Sequence, residues 1–177
     1  VLGSIYADGY VGDHNDFVLA LSDKCDDNLN LLYRIKSEIG ISVDIRHIED
    51  KYGNYTLKFV CPQIIKDLNK WGVFTRKSLT MSEIPIIDDK YYSHFIRGYF
   101  DGDGTICSYL DIFDSRVRYL FEILGTESFL LKIQKILITN CNLKQTNLHK
   151  THSEGITRIS YKGIKSLIKI REYLYED

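Results

Sequence analysis

Two aspartates 95 residues apart, Asp8 and Asp103, stand in matching surroundings. The chain opens with Val1-Leu2-Gly3-Ser4-Ile5-Tyr6-Ala7-Asp8-Gly9. The run Ile96-Arg97-Gly98-Tyr99-Phe100-Asp101-Gly102-Asp103-Gly104 repeats its apolar-x-Gly-x-apolar-x-small-Asp-Gly form. A single Asp-Gly pair reads as a turn, since both residues suit turn backbone. Two copies with matching flanks point instead to a pair of hard oxygen ligands for a divalent cation such as Mg2+. Two such ions roughly 3.5–4 Å apart can clamp the attacking and leaving oxygens of a phosphodiester displacement. Neither motif brings a candidate nucleophile, so no covalent enzyme intermediate is expected. The four cysteines, Cys25, Cys61, Cys107 and Cys141, are widely spaced, with no Cys-x-x-Cys and no histidine pair at zinc spacing. They read as reduced thiols of an intracellular protein.

The elements that must position these acids are helices. Gly3 and Ala7 lie four apart and so share a helix face, as do Gly98 and Gly102. A glycine inside a helix costs about 1 kcal/mol relative to alanine. The same cost incurred twice, at Gly3 and Gly98, argues for a seam where two helix backbones approach closely. Gly9 and Gly104 read as helix ends. Each aspartate then terminates its helix, beside unpaired carbonyls and the negative end of the dipole. A carboxylate gains nothing there and would repel its twin, unless a cation reverses the sign.

The stretch after each motif also repeats. In the first half, Phe17–Ser22 reads as a strand and Asn28–Ile39 as a helix, with Leu29, Leu32, Ile35 and Ile39 at helical spacing. Strands near Val43–Ile48 and Tyr55–Val60 and a helix near Gln63–Trp71 come next. In the second half the same order runs through strand Arg118–Leu124, helix Ser128–Ile138, strands near Leu143–His149 and Ile156–Tyr161, and helix Ile164–Tyr173. An internal duplication with pseudo-two-fold symmetry is the economical account. It divides the chain into a first lobe at 1–74, a linker at 75–90 and a second lobe at 91–177. Asp88 or Asp89 is placed to cap the helix leading into the second motif.

With 177 residues, 44% hydrophobic and 27% charged, the chain reads as an ordinary soluble globular protein. Its apolar runs are far shorter than the roughly 20 residues of a membrane helix. No leader precedes the first motif, so secretion is not expected. Net charge is −1, but unevenly distributed. Residues 1–92 hold 11 Lys/Arg against 14 Asp/Glu, a net of −3, and residues 93–177 hold 12 against 10, a net of +2. For nucleic acid, the face that carries the charge matters more than the total.

The paired motifs resemble the LAGLIDADG, or dodecapeptide, signatures of homing endonucleases in their two-motif single-chain form, the second, Phe95–Gly104, most specifically. The run Trp71-Gly-Val-Phe-Thr-Arg-Lys-Ser78 is similar to the basic segment that closes the family's first lobe. The resemblance implies an α+β fold of two pseudo-symmetric αββαββα lobes. Each is a four-stranded antiparallel saddle, and the lobes join at a packed two-helix interface formed by Gly3, Ala7, Gly98 and Gly102. It implies that Asp8 and Asp103 bind metal with help from the backbone carbonyls of Ala7 and Gly102. The expected ion is Mg2+ or Mn2+, with Ca2+ binding without supporting cleavage. Lys77 matches the family's lysine near the scissile phosphate, although a solvated linker lysine fits it almost as well. Aligning Thr56–Val60 with Thr157–Tyr161 gives an offset of 101, which puts the counterpart of Lys77 near position 178, past Asp177. Either the chain is truncated at the end of its second lobe, the favoured expectation, or that lobe lacks its basic residue.

The same resemblance lays each sheet in a DNA major groove, so the polar strand faces become candidate readers. Alternation puts Gln145, Asn147 and His149 on one face of Asn142–Lys150, and Arg158 and Ser160 opposite Ile159 and Tyr161. Arg116 and Arg118 stand two apart at a strand start. In the first lobe Asp44 and Arg46 oppose Val43 and Ile45, and Thr56 and Lys58 oppose Leu57 and Phe59. Gln and Asn can pair bidentately with adenine. Lys144, Lys150 and Arg76 suit phosphates. An ordinary solvated sheet face would show the same alternation. The reading that results is a monomeric, divalent-metal-dependent endonuclease for long double-stranded DNA sites. An RNA-splicing maturase or cleavage-inactive DNA-binding domain of the same fold, and the endonuclease part of an intein, remain as alternatives.

Overall fold

The computed structural model describes residues 1–49, 51, 53–74 and 81–176. Packing divides the chain into two units. Unit 1 comprises Val1 and Asp8–Lys77, and unit 2 comprises Leu2–Ala7 and Ser78–Asp177. The first motif helix, α1 (Leu2–Asp8), therefore packs almost wholly with the second unit.

Unit 1 holds β1 (Gly9–Val11), β2 (Asp16–Ser22), α2 (Asp26–Ile39), β3 (Ile45–Ile48), β4 (Asn54–Val60) and α3 (Pro62–Lys70). The strands form one antiparallel sheet in the order β1-β2-β4-β3. Period-2 alternation sends Phe17, Leu19, Leu57 and Phe59 into the core, where Leu32 and Ile35 of α2 and Ile65 and Leu68 of α3 cover them. Gly40 ends α2 in the left-handed region, φ 74°, donating its N–H to the carbonyls of Lys36 and Ser37. Pro62 opens α3 at its first turn, where the missing N–H has no intrahelical partner to lose.

Unit 2 repeats the scheme. A 3-10 turn (Asp89–Tyr91) leads into α4 (Tyr92–Asp103), then β5 (Gly104–Leu110), β6 (Val117–Gly125), α5 (Glu127–Cys141), β7 (His149–Lys150), β8 (Thr157–Lys162) and α6 (Ile164–Tyr175). Its antiparallel sheet runs β5-β6-β8-β7, matching the first strand for strand. Phe121, Ile123, Ile159 and Tyr161 face a core closed by Phe129, Leu130, Ile133 and Leu137 of α5 and by Ile170 and Leu174 of α6. The fold is thus two αββαββα lobes with six helices and two four-stranded antiparallel sheets among the described residues. No described helix is long and apolar enough to cross a membrane.

Four local expectations change. Periodicity passes over β1 and β5. β1 has three residues, and β5 is exposed along its whole length after Gly104, so no inward apolar alternation marks it. Gly9 and Gly104 do follow the ends of α1 and α4, as expected, but as first residues of strands and outside the left-handed region, Gly104 being extended at φ −103°, ψ 163°. Glycine is needed there because a Cβ would overlap the ring and carbonyl of Phe100, whose ring stacks on Phe121 at 4.5 Å. Asp88 precedes the 3-10 turn without a side-chain cap, and Asp89 lies within the turn, so neither caps α4.

The fourth change is the strand expected over Asn142–Lys150, which shrinks to His149–Lys150. Asn142 ends α5 at φ 48°. Buried Gln134 then captures the following segment, donating to the Thr146 carbonyl at 2.8 Å and contacting its hydroxyl at 3.2 Å. Backbone held by a helix side chain is not extended along β8.

Candidate functional site

The close approach expected of Gly3 and Gly98 is present within unit 2. A Cβ on Gly3 would overlap the Phe95 carbonyl oxygen and stand 2.7 Å from the Tyr99 nitrogen. One on Gly98 would stand 3.0 Å from the Ser4 nitrogen. Both obstacles are backbone, so the two helices meet main chain to main chain at this crossing. Ala7 is half-buried and Gly102 exposed, one turn further along.

An aromatic cluster that spacing alone does not reveal fixes the crossing. Tyr6 meets Phe95 edge-on at 5.0 Å and Phe129 at 6.1 Å, and Tyr99 packs on Phe129 at 4.8 Å. The Tyr99 hydroxyl donates to the Leu124 carbonyl at 2.9 Å, tying α4 to β6. Burial, followed by the charge of Glu83, pushes the Tyr6 phenol up to about 12.

Asp8 and Asp103 are the last residues of α1 and α4, as expected, Asp8 exposed and Asp103 half-buried. Asp103 lines a pocket of 270 Å³ with Thr105, Glu122, Lys150, His152 and Arg158. Glu122 is the acid that sequence reasoning missed, because nothing in its strand marks it apart from its neighbours. It accepts from the Ser160 hydroxyl at 2.6 Å, and the Arg158 Nε stands 3.2 Å from the same oxygen. That Nε is buried and makes no aligned hydrogen bond, so the contact is an ion pair of poor directionality. Among the described residues no group of three or more His, Cys, Asp or Glu could hold a metal. The donors at the end of α4, a carboxylate beside helix-terminal carbonyls, are nevertheless all hard oxygens, which suits Mg2+ and not a thiophilic metal.

Strand register sorts the candidate readers. Directly opposed residues share a sheet face. In unit 2, Arg118 opposes Tyr109, Glu122 opposes Ser160 and Thr105, and Arg158 opposes His149 and Leu124, making one open face. Lys150 opposes the core residue Thr157 yet reaches the Asp103 pocket from the sheet edge. In unit 1, Lys58 opposes Val18 and Arg46 opposes Thr56. Arg46 and Lys58 are exposed, Lys58 standing 3.9 Å from Asp16.

Several of these candidates are already occupied. Arg118 donates to Asp111 at 3.3 Å and to Asp114, within a turn that also binds Arg116 at 3.8 Å. The Phe113 N–H, then Arg118, hold the Asp111 carboxyl below the usual carboxylate range. Arg158 and Ser160 are engaged by Glu122. Lys144, Gln145 and Asn147 are exposed as expected, but on the segment held by Gln134 and not on a strand. Arg76 and Lys77 lie outside the described residues.

No family model matches the sequence, and no curated protein matches it. Solved structures do match over almost the whole chain. The LAGLIDADG homing endonuclease I-LtrWI bound to target DNA aligns at TM-score 0.67 and 14% identity, over 99% of this chain and 81% of that one. The meganuclease I-SmaMI bound to uncleaveable DNA aligns at 0.64 and 12%, over 98% and 83%. The LAGLIDADG homing endonuclease I-GzeII in complex with its DNA target aligns at 0.63 and 10%, over 99% and 83%. Two lobes of matching strand order, each motif helix ending in an aspartate, give this chain the two-domain fold of the single-chain LAGLIDADG homing endonucleases.

Proposed function

We propose that the chain is a site-specific, divalent-metal-dependent DNA endonuclease acting as a monomer. One observation carries the reading: two motif helices, crossing at glycine, each end in an aspartate, on a fold whose solved representatives were captured on DNA. Asp8 and Asp103 are the metal-binding acids, with the carbonyls of Ala7 and Gly102. Mg2+ or Mn2+, when bound, supplies a Lewis acid for the phosphoryl oxygen. The calcium-containing complex of I-SmaMI with uncleaved target agrees with Ca2+ as a non-productive substitute. Lys77 orients solvent near the phosphate and offsets developing charge.

Arg46, Lys58, Arg116, Arg118, His149 and Arg158 approach bases or phosphates, while Lys144, Gln145, Asn147 and Lys150 contact flanking positions. Arg158 and Ser160 exchange Glu122 for DNA groups, or Glu122 itself accepts from a cytosine amine. The test is cleavage of a randomised duplex library with Mg2+, comparing the wild type with Asp103→Asn. Breaks at one site that vanish in the variant establish the endonuclease. Binding without cutting in both overturns it in favour of a maturase-like or cleavage-inactive domain. Whether the host element is an intron, an intein or neither is decided by the genomic context.

A further inference from the structure

Strand β6 is apolar where the open face of a sheet is ordinarily polar. Of the six residues Tyr119-Leu120-Phe121-Glu122-Ile123-Leu124, five are apolar or aromatic, the composition of a strand covered on both sides. Phe121 and Ile123 are accounted for by the core, at 1% and 0% exposure. Leu120 and Leu124 stand on the opposite face, one on each side of Glu122. Leu124 is 41% exposed, and Leu120 is half-buried beside exposed Cys107 and Lys162, its partners across the sheet. Both leucines are firmly placed. The Leu124 carbonyl accepts from the Tyr99 hydroxyl at 2.9 Å, and the Gly163 N–H donates to the Tyr119 carbonyl at 3.0 Å, tying β6 to the start of α6. Unit 1 does not repeat them. Phe17 pairs with Phe59 as Phe121 pairs with Tyr161, so the counterparts of Leu120 and Leu124 are Asp16 and Ala20. The surrounding charges favour one kind of cover. Lys162 and Arg158 border the leucines on the same face, and Glu122 is the one carboxylate on the paired strands β5, β6, β7 and β8 that faces this way. An apolar strip framed by cations complements a polyanion that carries apolar groups between its phosphates.

We infer that Leu120 and Leu124 read the C5-methyl groups of thymines in the major groove. Unit 2 is thereby selective for thymine at two positions, one on each side of the base pair that Glu122 faces. The inference rests on the DNA-binding reading and names bases that it selects. Of the four bases only thymine presents an apolar group in the major groove, so a leucine that faces base edges discriminates by that methyl. Four residues of strand span about 13 Å and base pairs stack about 3.4 Å apart, so the two thymines lie at most about four base pairs from each other. The preference belongs to one half of the site, because Asp16 and Ala20 offer no equivalent surface in unit 1.

The test selects binding sites for the full chain from a randomised duplex pool, with Ca2+ in place of Mg2+. The selected duplex is then remade with deoxyuridine at one thymine at a time, which keeps the base pair and removes only the methyl. Two replacements, at most about four base pairs apart, are expected to weaken binding about fourfold each, the value of one buried methyl. Leu120→Ala is expected to erase the penalty at one of them and Leu124→Ala the penalty at the other. The penalty that each variant retains shows that it is folded and bound in the same register. Deoxyuridine tolerated at every thymine, or a selected site without thymines, overturns the methyl reading and leaves DNA binding standing. Penalties that persist in both variants assign the methyls to other residues and overturn the role of the leucines. A wild-type chain that selects no duplex overturns the DNA reading itself, and the inference with it.

Discussion

At Gly3, a single methyl group sets two effects against each other. Alanine is worth about 1 kcal/mol over glycine inside a helix. The same methyl would overlap the Phe95 carbonyl, and backbone cannot rotate away as a side chain can. Overpacking of this kind costs about 1–3 kcal/mol, so Gly3→Ala should lower stability despite its better helix propensity. Gly98→Ala, whose new atom would meet Ser4 at 3.0 Å, should cost less. Urea unfolding midpoints of the two variants check both the sign and the order. Four tyrosines with raised phenol values give a second prediction. Burial holds Tyr6, Tyr161 and Tyr173 at about 12, and burial together with Asp101 pushes Tyr175 higher still. A folded-state value raised above the ordinary 10.0 contributes stability that is intact below pH 10 and lost as pH rises through about 12. All four residues belong to unit 2, so an alkaline titration followed by tyrosinate absorbance and circular dichroism should find that unit unfolding over this window.

Among the elements, the segment after α5 depends on one side chain. Gln134→Ala removes the amide that holds Thr146 and leaves the Thr146 carbonyl without its partner, at a cost of about 1–3 kcal/mol. Faster amide exchange over residues 143–148, with β6 and β8 unaffected, is the expected result. The same element shows where sequence is legible. Regular strands such as β2 and β4 bury alternate residues, and their periodicity reports them directly. β5 hides because its residues beyond Gly104 are exposed, and the 143–148 segment misleads because its alternation is real but its hydrogen bonds go to a helix. The motif acids and the crossing glycines were visible since they are duplicated. Glu122 was not, because its place beside Asp103 depends on strand register, which no local pattern encodes.

For the whole molecule, the two units share one plan but are not divided in sequence order. Leu2–Ala7 belongs to the packing of unit 2, whose other residues begin at Ser78. Removing residues 1–7 should therefore damage the distant unit more than the adjacent one. It would expose Phe95, Tyr99 and Phe129 while leaving the unit 1 core of Phe17, Leu19 and Leu57 covered. Limited proteolysis of the shortened chain, read by mass, should find new cuts beyond residue 81 before any within 9–70.

The glycine crossing also sets a timetable. On the ribosome α1 emerges ahead of its partner helix, and the backbone it must meet at Gly98 is 95 residues behind it. At about 5–20 residues per second, that is a wait of about 5–20 s. Throughout it, Tyr6, buried in the finished protein, lacks the Phe95 and Phe129 rings it packs against. Unit 1 can close in the meantime, but α1 cannot. A nascent chain of this design carries an uncovered apolar handle throughout that wait, within reach of chaperones and of neighbouring nascent chains alike. Codon choices that hasten residues 9–95 should raise the soluble yield more than equal changes after Gly104.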